Sequence, residues 1–354
     1  MEKVELTGGY TMVKRVITVL FMAVAVSISG CGKADRQKTS TEEVTTAEKE
    51  ENSAEQVTED ILNDNAEQKL LYCITSSPDD SDAVVMQNAC IEEGEKAGYT
   101  VKCVYHNGDT AKQAKLFDEA VSEKASAVIC NSADADSAIT DVQNARNAGI
   151  PTFLVNSEIN QEGTAVAQIL SDDSQGVAEA AGYLAETTGG EGLYVELLEK
   201  ENRKSQLRSE AFHAVIDRTN MEMAVREIAG ETREEGMKKT ETLLKQYPAI
   251  RAVVCENDEL ACGAADAVAS ENLDHEVYII GFGGTDDMRN YIKDGKCLVT
   301  VLQQIDNMTR DAVGQAEEYL KTGSTGLEEK QLTDCVLITT DTADNLNNFA
   351  YQNK

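Results

Sequence analysis

The stretch AVVCENDELACGA, residues 252–264, places a short apolar run directly before a run with helical spacing. Residues 252–256 are mostly apolar, as in a buried strand, and residues 259–271 repeat apolar side chains at the spacing of a helix. Asn257 and Asp258 separate the two runs. A strand that leads through a polar turn into a helix is the repeating unit of an α/β protein.

The same alternation continues in both directions along the chain. This order implies parallel sheets that carry helices on both faces and are connected by right-handed crossovers. Because the order occurs twice, the sequence predicts an α/β protein of two doubly wound parallel-sheet lobes, which close on a cleft about a hinge. The predicted strands are residues 70–74, 100–105, 127–131, 151–155, 192–198, 223–229, 252–256, 277–281, 298–303 and 335–339, and the predicted helices are 84–97, 111–123, 136–148, 175–187, 206–219, 233–246, 259–271, 286–294 and 308–321.

Ligands of such sheets bind beyond the carboxyl ends of the strands. We therefore expect the functional residues directly after the strands, for example in residues 76–82 and 131–134. The neutral amides that fall near strand ends can hydrogen-bond the hydroxyl or amide groups of many ligands. These amides belong to Asn131, Asn156, Asn257 and Gln303.

Composition excludes several classes of function. The 354 residues suggest two domains, at about 150 residues each. The formal net charge of -31 repels phosphate backbones and argues against nucleic-acid binding, and it favours a soluble monomer. There is no tryptophan and only 5% of residues are aromatic, although sugar sites usually stack aromatic rings on their ligand.

The N-terminus has the pattern of an export signal. A basic start at residues 12–15 precedes an apolar run at 16–28, which is shorter than the ~20 residues that a transmembrane helix needs. Residues 1–30 are therefore predicted to be a signal peptide, with Met1 or Met12 as its start. The ending at Cys31 resembles the bacterial lipobox, which implies lipid attachment to Cys31 and anchoring to the cell membrane; an ordinary signal with a chance cysteine is the alternative. Residues 31–68 are acidic and poor in large apolar residues, so we expect a disordered tether.

The sequence offers no recognisable catalytic or metal site. The three histidines are far apart, and we find neither a Gly-rich phosphate loop nor a nucleophile elbow. The eight cysteines after Cys31 show no zinc-binding spacing. We expect mostly free thiols, although Cys73 and Cys130 are predicted on neighbouring strands and a disulfide is possible outside the cytoplasm. We predict neither an enzyme nor a bound cofactor or metal.

Five stretches in order resemble the ribose-binding-protein group of type I periplasmic binding proteins, over about residues 69–340. The resemblance implies ligand contacts by Asn257 and Gln303. It also implies discontinuous lobes joined by a three-segment hinge: residues 69–171 with 304–334, and 172–303 with 335–354. The stretches are residues 88–99, 130–134, 149–151, 252–264 and 279–285.

The resemblance fails where that family holds a sugar. Residues 77–83 contain no aromatic ring, and Glu231 stands where another ring is expected. Asn156 and Ser157 replace an Asp-Arg pair, and Gly283 replaces an Asp. Gln206 stands at the expected position of an Arg, although Arg203, Lys204 and Arg208 are close by. The candidate ligand-binding residues are Asp80, Asp82, Asn131, Asn156, Ser157, Gln206, Glu231, Asn257 and Gln303.

The function expected from this pattern is an extracytoplasmic solute-binding protein that delivers a small polar ligand, a carbohydrate or a similar compound, to the permease of an ABC importer. The alternative is a sensory binding protein that reports to a membrane receptor such as a histidine kinase. Unpaired carboxylates in a closing cleft are costly unless a cation meets them, so an amine- or cation-bearing ligand also suits the sequence. The competing interpretation is that the acidic residues form only a solvated rim.

Overall fold

The computed structural model describes residues 69–347 and 350–351. The predicted signal peptide, Cys31 and the predicted tether lie outside these residues. In the described part of the chain, no helix is both long and apolar enough to cross a membrane.

The first sheet contains six parallel strands in the order β11-β5-β4-β3-β1-β2. Four helices pack in this lobe, one of them from late in the chain. The strands are β1 (Leu70–Thr75), β2 (Thr100–Tyr105), β3 (Ala127–Cys130), β4 (Thr152–Val155), β5 (Ala167–Asp172) and β11 (Lys330–Asp334); the helices are α1 (Ser81–Lys96), α2 (Thr110–Ser122), α3 (Ser137–Asn147) and α9 (Ile305–Thr322).

The second sheet has the order β12-β10-β9-β8-β6-β7 and is parallel except for the antiparallel pair of β10 and β12. Its strands are β6 (Glu191–Leu198), β7 (Asn220–Ile228), β8 (Ile250–Cys255), β9 (Tyr278–Gly283), β10 (Val299–Leu302) and β12 (Val336–Ile338); the helices of this lobe are α4 (Asp173–Thr188), α5 (Arg203–Ile216), α6 (Arg233–Gln246), α7 (Asp258–Ser270) and α8 (Asp286–Lys293). A 3₁₀ turn (Ala343–Asn345) and two short strands, β13 (Leu346–Asn347) and β14 (Ala350–Tyr351), follow.

Each sheet buries apolar side chains on both faces. In β1, Leu71 and Cys73 join one core of the first lobe, while Tyr72 and Ile74 join the core on the opposite face. This arrangement confirms the predicted fold class of two doubly wound parallel-sheet lobes. It also separates Cys73 from Cys130, which belongs to the opposite core, so these two thiols cannot pair.

The chain passes between the two sheets at three places. Strand β5 ends at Asp172 and α4 begins at Asp173; residues 303–304 join β10 to α9; and Cys335 alone separates β11 from β12. We call residues 172–173, 303–304 and 335 the hinge segments. They correspond to the three-segment hinge expected from the sequence.

The sequence missed strands β5 and β11 and the short strands β13 and β14, and it placed the starts of α1, α5 and α9 three residues too late; α1 begins at Ser81 rather than 84. Strand β5 lies between residues 155 and 175, where no element was predicted, and β11 is an edge strand with a single large apolar residue, Leu332, which is exposed. Helix α5 begins at Arg203 rather than 206 because the side chain of Asn202 accepts a hydrogen bond from Ser205 N. Helix α9 begins at Ile305 rather than 308.

Candidate functional site

A polar cleft lies between the two lobes, at the carboxyl ends of both sets of strands. It contains two adjoining cavities of about 280 Å³ and about 720 Å³. Residues of both lobes line each cavity, so a molecule bound there would contact both. The residues that line both cavities are Asp80, Asp82, Glu199, Arg208, Glu256 and Gln303.

The start of α1 forms one wall of the cleft. Asp80 is the N-cap of this helix: its side chain accepts hydrogen bonds from Asp82 N at 2.9 Å and from the hydroxyl of Ser76. Burial raises the pKa of Asp82 to about 6; the charge of Asp80 adds to this rise, while Lys204 and Arg208 across the cleft oppose it. The wall therefore holds one carboxyl group that titrates near neutral pH.

Asn131 and Asn156 follow adjacent strands and line the smaller cavity. The amide of Asn131 donates to Val155 O at 3.0 Å, and that of Asn156 donates to Gln303 Oε1 at 3.2 Å. Asn156 has a φ of 50°, in the left-handed region that asparagine tolerates better than most residues. Both amides therefore face the cleft with one hydrogen bond already made.

Ser157, which the sequence also predicts as a ligand-binding residue, lines neither cleft cavity. Its hydroxyl accepts a hydrogen bond from Ser132 N at 2.9 Å, and the residue lines a separate groove rather than either cleft cavity. Asn156 lines both this groove and the smaller cleft cavity, whereas Ser157 lines only the groove. Of this pair, only Asn156 is brought to the cleft.

Arg208 projects from α5 into the cleft and is held on several sides. Its Nε and Nη2 donate to Asp173 Oδ2 at 3.0 and 2.8 Å, and its Nη1 donates to Glu256 O at 3.4 Å. The guanidinium carbon lies 3.5 Å from the centre of the Phe282 ring. An arginine held by ion pair and stacking keeps its remaining donors in a fixed direction.

Gln206, which the sequence placed at the site, does not reach the cleft. It is exposed and lines neither cavity, whereas Ser205, Arg208 and Ser209 occupy the inward face of α5. Successive residues of an α-helix point about 100° apart, so a shift of two positions moves a side chain to another face. Arg208 is thus the arginine that the structure places in the cleft.

Asn257, Gln303 and Glu231 also lie at the cleft. Asn257 caps α7: its Oδ1 accepts a hydrogen bond from Leu260 N at 2.8 Å, a contact that does not use its amide nitrogen Nδ2. Gln303 is buried between the lobes and donates to Asp173 Oδ1 at 2.6 Å. Glu231 lies on the rim, where it is exposed.

The sequence also missed Glu199, Glu256 and Asp173. Glu199 and Glu256 directly follow strands β6 and β8, so the strand-end pattern could have identified them. Both carboxylate oxygens of Glu256 already accept hydrogen bonds from the protein, from Glu199 N at 2.8 Å and from the hydroxyl of Ser205. Nothing in the local sequence indicated Asp173, whose partners come from distant parts of the chain.

Carboxylates crowd the larger cavity from both lobes. Among the described residues, no group of three or more His, Cys, Asp or Glu side chains is arranged to hold a metal ion. The most buried carboxyl group, that of Asp258, accepts from Thr300 Oγ1 at 2.6 Å and from Thr285 N at 2.7 Å. The acidic lining consists of Asp79, Asp80, Asp82, Glu199, Glu231, Glu256, Asp258, Glu259, Asp286 and Asp287.

Two α/β lobes that meet at a polar cleft and are joined by three short crossings define a solute-binding protein that closes on its ligand. Residues 74–325, more than half of the chain, match the family model of the periplasmic binding protein domain. The chain belongs to this family, which confirms the resemblance found in the sequence.

Relatives in this family are named as sugar import proteins. The chain is 37% identical, over 288 residues, to a D-apiose import binding protein of Actinobacillus succinogenes, an alignment that covers 80% of this chain and 93% of the relative. It is 29% identical to a ribose import binding protein of Bacillus subtilis, with 67% and 77% covered. A solved ABC transporter solute-binding protein of Bacillus halodurans with bound myo-inositol is 25% identical, with a TM-score of 0.68 and coverage of 78% and 96%.

The raised pKa of Asp82 predicts a stability that depends on pH. Since the folded-state pKa of about 6 lies above the ordinary 3.8, folding favours the protonated group; its stabilisation is complete below about pH 4 and is lost as the pH rises through 6. Relative to Asp82→Asn, the parent should lose about 1–2 kcal/mol of unfolding free energy between pH 4 and pH 7, a figure reduced for partial exposure.

Urea denaturation at each pH measures this difference. Asp79→Asn is the matched control, because Asp79 is the exposed neighbour at the rim of the same loop. If the unfolding free energies of Asp82→Asn and Asp79→Asn both change with pH as that of the parent does, Asp82 does not titrate as described.

Proposed function

We propose that this protein binds a small sugar or polyol in the cleft and passes it to an ABC importer. The observation that carries the proposal is a cleft lined from both lobes by hydrogen-bonding side chains, in a chain related to sugar import proteins. Arg208 and the amides of Asn131, Asn156 and Asn257 offer donors and acceptors that match hydroxyl groups. D-apiose, ribose and myo-inositol, the ligands named for the relatives, are all small and densely hydroxylated.

Recognition in this cleft would depend on hydrogen bonds rather than on ring stacking. Phe282 is the only aromatic residue among the described residues that line the two cavities, and the Arg208 guanidinium covers its ring. Carboxylates on both walls, such as Asp82 on one and Glu199 on the other, can accept hydrogen bonds from hydroxyls. A ligand with hydroxyl groups on all sides suits such a lining better than one with a broad apolar face.

The lobes would close around the sugar by rotation at the hinge segments. We take the lobes as residues 69–171 with 304–334 and residues 172–303 with 335–354. Contacts to both lobes exist together only in the closed form, so a bound sugar shifts the population toward closure. The protein would thus act by binding and release, without a chemical step.

The cellular setting follows from the sequence before the described residues. An export signal, lipid attachment at Cys31 and the tether to residue 68 would hold a monomeric binding domain outside the cell membrane, near the permease. The named relatives are import proteins, which favours delivery to an importer over a sensory role.

Thermal unfolding of the purified protein with single candidate ligands tests the proposal. D-apiose, D-ribose, D-allose and myo-inositol are the candidates, and putrescine and glycine betaine are the cationic controls. At saturating concentration a true ligand should raise the midpoint by about 5 °C or more, because it binds only the folded state. The proposed sugar function would be contradicted if only a cationic control raised the midpoint, or if none of the six compounds did.

A further inference from the structure

The side chain of Asp173 joins two parts of the cleft that lie far apart in sequence. Asp173 is the first residue of α4 and belongs to the first hinge segment. Its Oδ2 accepts both hydrogen bonds from Arg208, at 2.8 and 3.0 Å, and its Oδ1 accepts from Gln303 Nε2 at 2.6 Å. One carboxylate therefore connects the cleft arginine to the second hinge segment.

The connection continues into the first lobe. Gln303 Oε1 accepts a hydrogen bond from Asn156 Nδ2 at 3.2 Å, and Asn156 follows β4 of the first sheet. The sequence of contacts Arg208–Asp173–Gln303–Asn156 thus runs from the second lobe, through two of the three hinge segments, to the first lobe. Three of its four members, Arg208, Gln303 and Asn156, also line the smaller cavity.

Few other contacts could hold Arg208 and Gln303 in place of Asp173. The ion pair of Arg208 and Asp173 is largely shielded, with 16% and 19% of the two side chains exposed. Without Asp173, Arg208 would keep the stacking on Phe282 and the long contact to Glu256 O, neither of which fixes its position along the cleft. Gln303 would lose its partner on the second lobe at the same time.

We propose that Asp173 is a positioning residue that need not touch the ligand. It holds the Arg208 guanidinium in the orientation that binds the sugar. Through Gln303 and Asn156 it also links that orientation to the hinge segments. This inference rests on the proposed sugar-binding function. It goes further in assigning to one hinge carboxylate the link between ligand contact and lobe movement.

A purely structural role is the competing explanation. An acidic residue in the first turn stabilises a helix through the helix dipole, and Asp173 occupies that position in α4. Asp172, the residue before it, is the matched control: it caps the same helix by accepting from Gln175 N at 3.0 Å, but it lines neither cleft cavity. Asp172→Asn and Asp173→Asn change the same charge at the same helix end.

Calorimetric titration of the purified full chain with D-apiose, D-ribose, D-allose and myo-inositol provides the binding test. Asp173→Asn should weaken binding of whichever sugar the parent takes up by tenfold or more, and Asp172→Asn by less than twofold. In the double variant Asp173→Asn/Arg208→Gln the loss should not exceed that of Arg208→Gln alone, because Asp173 acts through Arg208. The inference would be overturned if Asp173→Asn bound the sugar as tightly as the parent, or if the fold-loss of the double variant equalled the product of the two single-variant losses.

Hydrogen exchange of the unliganded protein provides a test that needs no ligand. Asp173→Asn should accelerate exchange in peptides around residues 155–157 and 303–306, whereas Asp172→Asn should affect only the start of α4. If the parent binds none of the four sugars, the proposed function fails, and exchange alone decides the role of Asp173. Unchanged exchange at both hinge-side peptides in Asp173→Asn would overturn the role itself.

Discussion

Arg208→Gln is expected to weaken sugar binding about 100-fold. A hydrogen bond from a charged donor contributes about 1.5–3 kcal/mol, and 1.4 kcal/mol corresponds to a factor of ten in affinity. The variant also leaves Asp173 without its cation in a site where that carboxylate is mostly shielded from water. Both effects act in the same direction. Isothermal titration with the sugar identified by thermal unfolding measures the loss.

Gln206→Ala is the matched control for this change, because Gln206 lies two residues away on the exposed face of the same helix. Its affinity should stay within twofold of that of the parent. The reverse result, a large loss for Gln206→Ala and none for Arg208→Gln, would restore the assignment expected from family resemblance and contradict the cleft geometry.

Gly263→Ala is expected to lower the free energy of unfolding by about 3 kcal/mol or more. A Cβ at this position would overlap the carbonyl oxygen of Arg233 and lie 2.8 Å from Met237 N, both in the backbone of α6. Gly236 of α6 meets the backbone of Leu260 in the same way, so these two helices touch through glycines on both sides. Overpacking usually costs about 1–3 kcal/mol, and here no flexible side chain can move aside.

Urea denaturation of Gly263→Ala measures this cost. Gly314→Ala is the control: Gly314 lies inside α9, where an added Cβ meets nothing within 4 Å, and alanine should stabilise that helix by about 0.5–1 kcal/mol. A Gly263→Ala protein as stable as the parent would mean that α6 and α7 are not held in backbone contact.

The strand ends were the part of the site that could be predicted from the sequence. Asn131, Asn156 and Asn257 each follow an apolar run, and parallel topology brings such positions to one edge. The end of a strand does not by itself determine which cavity the following side chains line. Ser157 directly follows Asn156, which lines the cleft, yet Ser157 itself lines only the neighbouring groove.

The phase of a helix limited the prediction in the second lobe. Choosing Arg208 rather than Gln206 requires the phase of α5 to be known to the residue, since two positions rotate a side chain by about 200°. The fold itself was less sensitive, because burial on both faces of a sheet is set by whole apolar runs. The missed strands β5 and β11 show the limit there: β11 is an edge strand whose pattern is mostly polar, and its place is fixed by pairing with β5.

The shortness of the three hinge segments restricts how the lobes can move. The first crossing has no residue between strand and helix, the third has one, and the second has two. Since neighbouring Cα atoms are about 3.8 Å apart, none of these connections can lengthen by more than a few ångströms. The two lobes therefore keep a nearly constant separation along the line of the crossings, and what remains free is chiefly an angle. A binding domain with so few degrees of freedom gives up little entropy when it settles on its ligand.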